Sequence, residues 1–234
     1  KAAVIITTDK CYENKETLKG YKEDEPMGGH DPYSASKGAA ELIISSYRRS
    51  FFSESKDCKI ASARAGNVIG GGDWSDNRLV PDIIRSITNN KNIELSNPKS
   101  IRPWQHVLEP LSGYLKLGSE LFQNKKEFSE GWNFGPYMNE VYPVQLVVEK
   151  IIENYKKGKW IDISQPGQLH EANLLMLDIN KAMQKLKWNP ILSFDQCVNL
   201  TAEWYKAANK ENVLELTQAQ IKFYEEQWNL KNAN

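Results

Sequence analysis

The 234-residue chain is poor in cysteine, has no excess charge of either sign and contains no long apolar run, and each lack closes off a class of protein. Its three cysteines, Cys11, Cys58 and Cys197, are widely separated and form no C-x-x-C pair. An odd, sparse set supplies neither a disulfide framework nor a structural zinc site, so reduced thiols, a cytoplasmic setting and no metal are expected. Lys plus Arg and Asp plus Glu number 30 each, which cancels the net charge. A nucleic-acid binder carries a basic excess or stripe, and none is visible. No apolar stretch approaches the roughly 20 residues that span a bilayer. Internal repeats, low-complexity tracts and long linkers are missing too, so a compact chain is expected. The chain opens on Lys1 rather than Met, and further chain ahead of it is expected.

What is present reads as alternating strands and helices. Ala2 to Thr8 is a short, apolar, β-branched run, the pattern of a parallel strand buried on both faces and flanked by neighbours. Residues 12–32 are polar and rich in Gly, Pro, Asp and Glu, hence a loop. From Pro32 to about Phe52, Ala39, Ala40, Leu42, Ile43, Ile44, Tyr47 and Phe51 give a strongly apolar helix, apolar around more than one face as a buried helix is. Lys59 to Arg64 reads as the next strand, followed by the glycine-rich segment Gly66 to Asp73. Strand, helix, strand in that order predicts an α/β fold with a parallel sheet. Beyond it, helices are expected over 78–90, 108–122, 144–155, 178–186, 194–208 and 213–228, with short strands at 93–95, 104–107, 132–134 and 160–163.

Two short segments carry candidate chemistry. In Tyr33-Ser34-Ala35-Ser36-Lys37 the four-residue spacing puts phenol and ammonium on one helix face, one turn apart. The cation favours phenolate and so suits the tyrosine to general-base work on a hydroxyl. Thr7-Thr8-Asp9-Lys10 falls where the opening strand ends, and ligands of open α/β sheets bind beyond the carboxyl ends of strands. Alone, the first could be an exposed Tyr/Lys pair and the second a capped turn.

Taken together, the order strand, TTDK, loop, YSASK, helix, strand, RAGNVIGGGD resembles the extended short-chain dehydrogenase/reductases that act on nucleotide sugars. Further matching segments run along nearly the whole chain: MGGHDPYSASK, RLVPDI, SIRPWQHVLEPLSGY, FSEGWNFGP and LHEA. The resemblance implies a Rossmann-like, doubly wound parallel sheet with a smaller α/β substrate-binding domain. Residues 1–70 would be the C-terminal part of the NAD-binding domain, with 131–157 returning to it. Residues 71–130 and 158–234 would form mainly the substrate-binding domain. Asp9-Lys10 after the Thr resembles the 4,6-dehydratase subgroup that acts on CDP-glucose, with Tyr33 and the GGGDW segment separating it from inverting relatives that use UDP-N-acetylglucosamine. The remaining alternatives are a 4-epimerase, a dehydratase for another nucleotide, and an inactive sugar-nucleotide-binding protein.

By this resemblance Tyr33, helped by Thr8 and Lys37, takes the C4 hydroxyl proton of the sugar while hydride passes from C4 to NAD. Tyr33 and Lys37 also bind the cofactor. Lys10 would then remove the C5 proton and Asp9 would protonate the departing C6 hydroxyl. A neighbouring Asp and Lys favour each other's ionised forms, whereas these roles need them neutral; burial pushes the other way, and the pair would titrate as one unit. Substrate-binding roles fall on Asn67 and Arg102, which suit phosphate oxygens, and on Arg78, His170 and Glu171. Trp74 or Trp104 could stack on a base, and His106 reads as a core histidine. The family's G-x-x-G-x-x-G turn has no counterpart, since Gly70-Gly71-Gly72 does not lie between a first strand and its helix. About a hundred residues, three units of ~30, are expected ahead of Lys1. Without them the chain should bind NAD poorly and expose an aggregation-prone sheet edge. A homodimer through the YSASK helix and a role in bacterial surface-polysaccharide synthesis are implied as well.

Overall fold

The computed structural model describes residues 1–17, 19–55, 57–165, 175–208 and 212–232. It divides into two compact units, one of residues 1–67, 109–139 and 174–190, the other of 68–108, 140–173 and 191–234. Residues 131–139 lie with the first unit as expected, but 109–130 and 174–190 join it too, and 140–157 lies with the second.

The first unit is built on a parallel sheet. Strand β1 (Ala2–Ile6) pairs with β2 (Lys59–Ala65), which pairs with β7 (Gly131–Phe134), in the order β1-β2-β7. Helix α1 (Pro32–Tyr47) makes the β1-to-β2 crossover and runs into a single wider turn, Arg48–Phe52. Asp31 caps α1 by accepting from the Ser34 amide at 3.0 Å, and Pro32 occupies the first turn, where its missing N–H costs nothing. Helices α3 (Leu108–Phe122) and α5 (Asn180–Lys185) complete the elements around the sheet. Every residue of β2 and β7 is buried. Gly113 in α3 makes room for Phe134, whose ring would stand 2.3 Å from a Cβ there, and Trp188 meets the same ring edge-on at 5.1 Å.

Two apolar surfaces stand open in this unit. β1 is an edge strand among the described residues, the exposed sheet edge that was expected, and Ile6 is 58% exposed. On α1 Ile44 is buried, but Leu42, Ile43 and Tyr47 face solvent, as does Phe51 in the wider turn after it. An apolar pattern reports that a surface is suited to burial, and nothing described here covers these two.

The second unit gathers helices and short strands round an aliphatic and aromatic core. Strand β3 (Val68–Ile69) pairs with β6 (Gln105–His106) and β4 (Ile93–Leu95) with β9 (Trp160–Asp162), both in parallel; β5 (Ile101–Arg102) pairs antiparallel with β8 (Tyr142–Pro143). Helices α2 (Leu79–Thr88), α4 (Val144–Tyr155) and α6 (Phe194–Ala207) supply Ile83, Ile87, Val147, Ile151, Val198 and Ala202 to the core. Helix α7 (Val213–Asn232) packs on α6, which starts in a capping box made by Ser193 and Gln196.

Candidate active site

The end of β1 runs directly into a single 3-10 turn, Asp9–Cys11. Thr8 caps this turn: its Oγ1 accepts from the Lys10 amide at 3.3 Å and donates to Asp9 Oδ1 at 2.8 Å. Asp9 is only 3% exposed, with its carboxylate turned towards the segment after β2. A Cβ on Gly66 would lie 2.1 Å from Asp9 Oδ2, so only glycine fits at this approach. Thr8 and Lys10 remain half-buried. Asn67, next in the chain, adopts the left-handed conformation at φ 51°. Asparagine tolerates that region better than most residues, and it turns the chain out of the sheet here.

Helix α1 packs against this turn. Gly38 permits the approach: a Cβ there would meet the Cys11 carbonyl oxygen at 3.2 Å and the Gly28 backbone at 3.0 Å. Just before it, Lys37 lays its Nζ over the ring of Tyr33 one turn earlier, 5.5 Å from the centroid. Tyr33 is 52% exposed, so its phenol is open to a ligand. Thr8, Asp9, Lys10, Tyr33, Lys37 and Asn67 therefore all belong to the first unit.

Beneath them lies a buried polar network that sequence reading missed. Glu41, one turn after Lys37, accepts from Thr7 Oγ1 at 2.5 Å, Ser62 Oγ at 2.8 Å and Arg64 Nη2 at 2.8 Å. Arg64 also donates to the Tyr12 hydroxyl at 2.6 Å and the Glu23 carbonyl at 3.0 Å. Tyr12 donates to Asn133 Oδ1 at 2.7 Å, and the Asn133 amide nitrogen donates to the carbonyls of Tyr21 and Asp178. Burial pushes the Glu41 carboxyl up, but its bonds to Arg64, Thr7 and Ser62 outweigh this and hold it below the usual carboxylate range. Burial likewise pushes the neighbouring Cys11 thiol up to about 12, so it stays protonated and inert. Two signals were available: Glu41 continues the four-residue spacing of Tyr33 and Lys37, and Arg64 is a charge among the small and apolar residues that follow Lys59 in β2.

The second unit carries a cleft of about 1020 Å³ between α2, β4 and the β5 region. Arg85, Lys91, Asn97 and Arg102 contribute polar walls, with Ile83, Leu95 and Trp104 beneath. Arg78 stands exposed just before α2 and does not line it. Trp104 is core, its indole donating to the Tyr142 carbonyl, whereas Trp74 is about half-exposed and edge-on to Tyr205. The glycine-rich segment is occupied by packing: a Cβ on Gly71 would fall 2.0 Å from the Trp204 ring. His106 is a core residue whose Nδ1 accepts from the Leu108 amide at 3.3 Å; its Nε2 has no partner, and burial lowers the ring to about 4. His170 and Glu171 lie outside the described residues. Among the described residues no cluster of His, Cys, Asp and Glu could hold a metal ion, and no helix is long and apolar enough to cross a membrane.

A parallel sheet, with a Tyr/Lys helix packed on the polar turn that ends its edge strand, defines the α/β fold of nucleotide-sugar epimerases and dehydratases. The fold is similar to a dTDP-glucose 4,6-dehydratase from Bacillus anthracis solved in complex with NAD (TM-score 0.69, 22% identity, 88% of this chain and 62% of that one). It is also similar to a UDP-glucuronic acid 4-epimerase from Bacillus cereus in complex with UDP-glucuronic acid and NAD (TM-score 0.73, 18% identity, 89% and 62%). The chain belongs to the GDP-mannose 4,6 dehydratase family, whose model matches residues 2–201. Within it the chain is 48% identical, over 212 residues, to the CDP-glucose 4,6-dehydratase of Salmonella typhimurium. That match covers 88% of this chain and 59% of the relative, so the chain spans about three-fifths of the length of the curated relative it matches.

Proposed function

We propose that the chain carries the catalytic centre of an NAD-dependent nucleotide-sugar 4,6-dehydratase acting on CDP-glucose and yielding CDP-4-keto-6-deoxyglucose. The observation that carries this reading is the packing of α1, with Tyr33 and Lys37, onto the turn that holds Thr8, Asp9 and Lys10. An epimerase has no need of an acid/base pair at that turn, whereas loss of water from C5 and C6 needs both a proton acceptor and a proton donor. The 48% identity to the Salmonella enzyme supports CDP-glucose over other nucleotide sugars.

Tyr33 would take the C4 hydroxyl proton, with Thr8 hydrogen-bonding that hydroxyl and Lys37 supporting the charge left on the phenol. Tyr33, whose phenol is half-exposed, and the adjacent Lys37 would hold NAD, a donor pair suited to hydroxyl groups, and the cofactor when bound would supply the acceptor and donor of hydride. Lys10 would remove the C5 proton. Asp9, buried beside Gly66 and bonded by Thr8, would in its protonated form give its proton to the C6 oxygen as that oxygen leaves as water. Asn67 and Arg102 are assigned to the diphosphate; Arg102 lines the cleft of the second unit, where Arg85 and Lys91 add positive charge. Arg78, His170 and Glu171 complete the proposed substrate residues. The reading includes a homodimer formed through α1, whose outward Leu42, Ile43 and Tyr47 form the kind of apolar surface that self-association covers. It also includes a cytoplasmic setting and a product destined for bacterial surface polysaccharide.

The test uses the protein encoded by the complete natural reading frame. It is incubated with NAD and, separately, CDP-, dTDP-, GDP- and UDP-glucose, with products read by mass spectrometry. Loss of one water from CDP-glucose alone, with no net build-up of NADH, is the expected result. Loss of water from another substrate moves the nucleotide assignment, and no loss of water from any of them removes the roles given to Asp9 and Lys10.

A further inference from the structure

The buried carboxylate of Glu41 touches neither the open face of Tyr33 nor the turn at Asp9, yet it joins the elements that carry both. It sits on α1 one turn beyond Lys37 and two beyond Tyr33. One of its oxygens accepts from Thr7, the residue immediately before Thr8; the other accepts from Ser62 and Arg64 of β2. The Arg64 and Glu41 side chains are 5% and 3% exposed, so water does not compete for these bonds. A buried ion pair is seldom a net source of stability compared with an apolar pair of the same shape. What it does supply is direction: two donors on β2 and one just past the end of β1 fix one carboxylate, and the carboxylate fixes the helix.

We propose that Glu41 is a positioning residue, setting α1 against the end of β1 so that Tyr33 and Lys37 face the hydroxyl of Thr8. The inference rests on the dehydratase reading of the site and goes beyond it. Thr7 is the informative contact, because it is the only one of the three donors that belongs to the β1 end. Ser62 and Arg64 place the helix on β2; the Thr7 bond places it on the catalytic turn. Displacements near 1 Å of reacting groups can cost about 100-fold in rate, so a bond of this kind belongs to catalysis rather than to substrate affinity.

Replacing Glu41 would strand the Arg64 charge and unfold the unit, so the test acts on Thr7. Thr7→Val removes the hydroxyl at nearly constant shape and leaves the Arg64 and Ser62 bonds in place; Thr7→Ser restores the hydroxyl. In the complete protein, Thr7→Val is expected to lower kcat by about 10- to 100-fold with KM within about twofold. Thr7→Ser should recover kcat to within about threefold, which a general loss of packing would not allow. Crystal structures of wild type and Thr7→Val should show α1 displaced from the β1 end by about 0.5 Å or more. An unmoved helix overturns the proposal whatever kcat does, and so does a kcat within twofold of wild type in an active enzyme. A wild type inactive on every nucleotide sugar sinks the dehydratase reading by itself, and the displacement of α1 alone then decides for or against the clamp.

Discussion

Lys10 and Asp9 are adjacent in sequence but differ in setting: Lys10 is half-buried, while Asp9 is turned inward against Gly66 and takes the Thr8 hydroxyl. An amine in the open position suits removal of a proton from substrate carbon. Lys10→Glu is therefore expected to lower kcat by about 100- to 10,000-fold, the usual worth of a positioned acid or base. Steady-state turnover of CDP-glucose measures this, and full activity in the variant would refute a specific need for an amine. His106 yields a second prediction at the same scale. The folded ring titrates near 4 and an unconstrained one near 6.5, because burial disfavours the imidazolium. Between those values the unfolded chain binds a proton that the folded one refuses, so stability is lost as pH falls below 6.5. The loss should reach roughly 3 kcal/mol by pH 4 and be missing from His106→Gln, as judged by the wild-type minus variant difference in urea unfolding.

At the scale of elements, the first turn of α1 does most for the site, since Tyr33 lies within it. Asp31 caps that turn through the amide and hydroxyl of Ser34, at 3.0 and 2.6 Å. Asp31→Ala should lower stability modestly while lowering kcat by a larger factor than that loss implies, because the frayed residues include the base. Thermal unfolding and turnover measured on one preparation separate the two effects. Most elements were legible from periodicity: α3 and α4 fall where 108–122 and 144–155 were expected, because each shows an apolar stripe and a clear stop. The Tyr33–Lys37 pairing was legible for the same reason, since helical spacing alone brings those side chains together. The Glu41 network was not, because Thr7, Glu41, Ser62, Arg64 and Asn133 are distant in the chain and only the sheet order unites them. The exposure of Leu42 and Ile43 was hidden too: an apolar run states what a surface prefers, not whether anything covers it.

At the scale of the whole molecule, the outer face of α1 presents Leu42, Ile43 and Tyr47 to solvent. If a second copy covers it, Leu42→Lys combined with Ile43→Lys should turn a dimer into a monomer in sedimentation, with the fold retained, since both side chains already face solvent. A variant that sediments as wild type would remove α1 from the interface.

The Glu41 carboxylate also constrains how this sequence can change over generations. Its donors come from Thr7, Ser62 and Arg64, and Arg64 is in turn shared with Tyr12. Losing Glu41 or Arg64 leaves the other with a buried, unanswered charge, whereas replacing both together with apolar residues of similar volume is tolerable in principle. Single substitutions at these positions should then be purged even where combined ones would survive. The set is expected to be inherited as a block, with drift at one position permitted only after the others have moved.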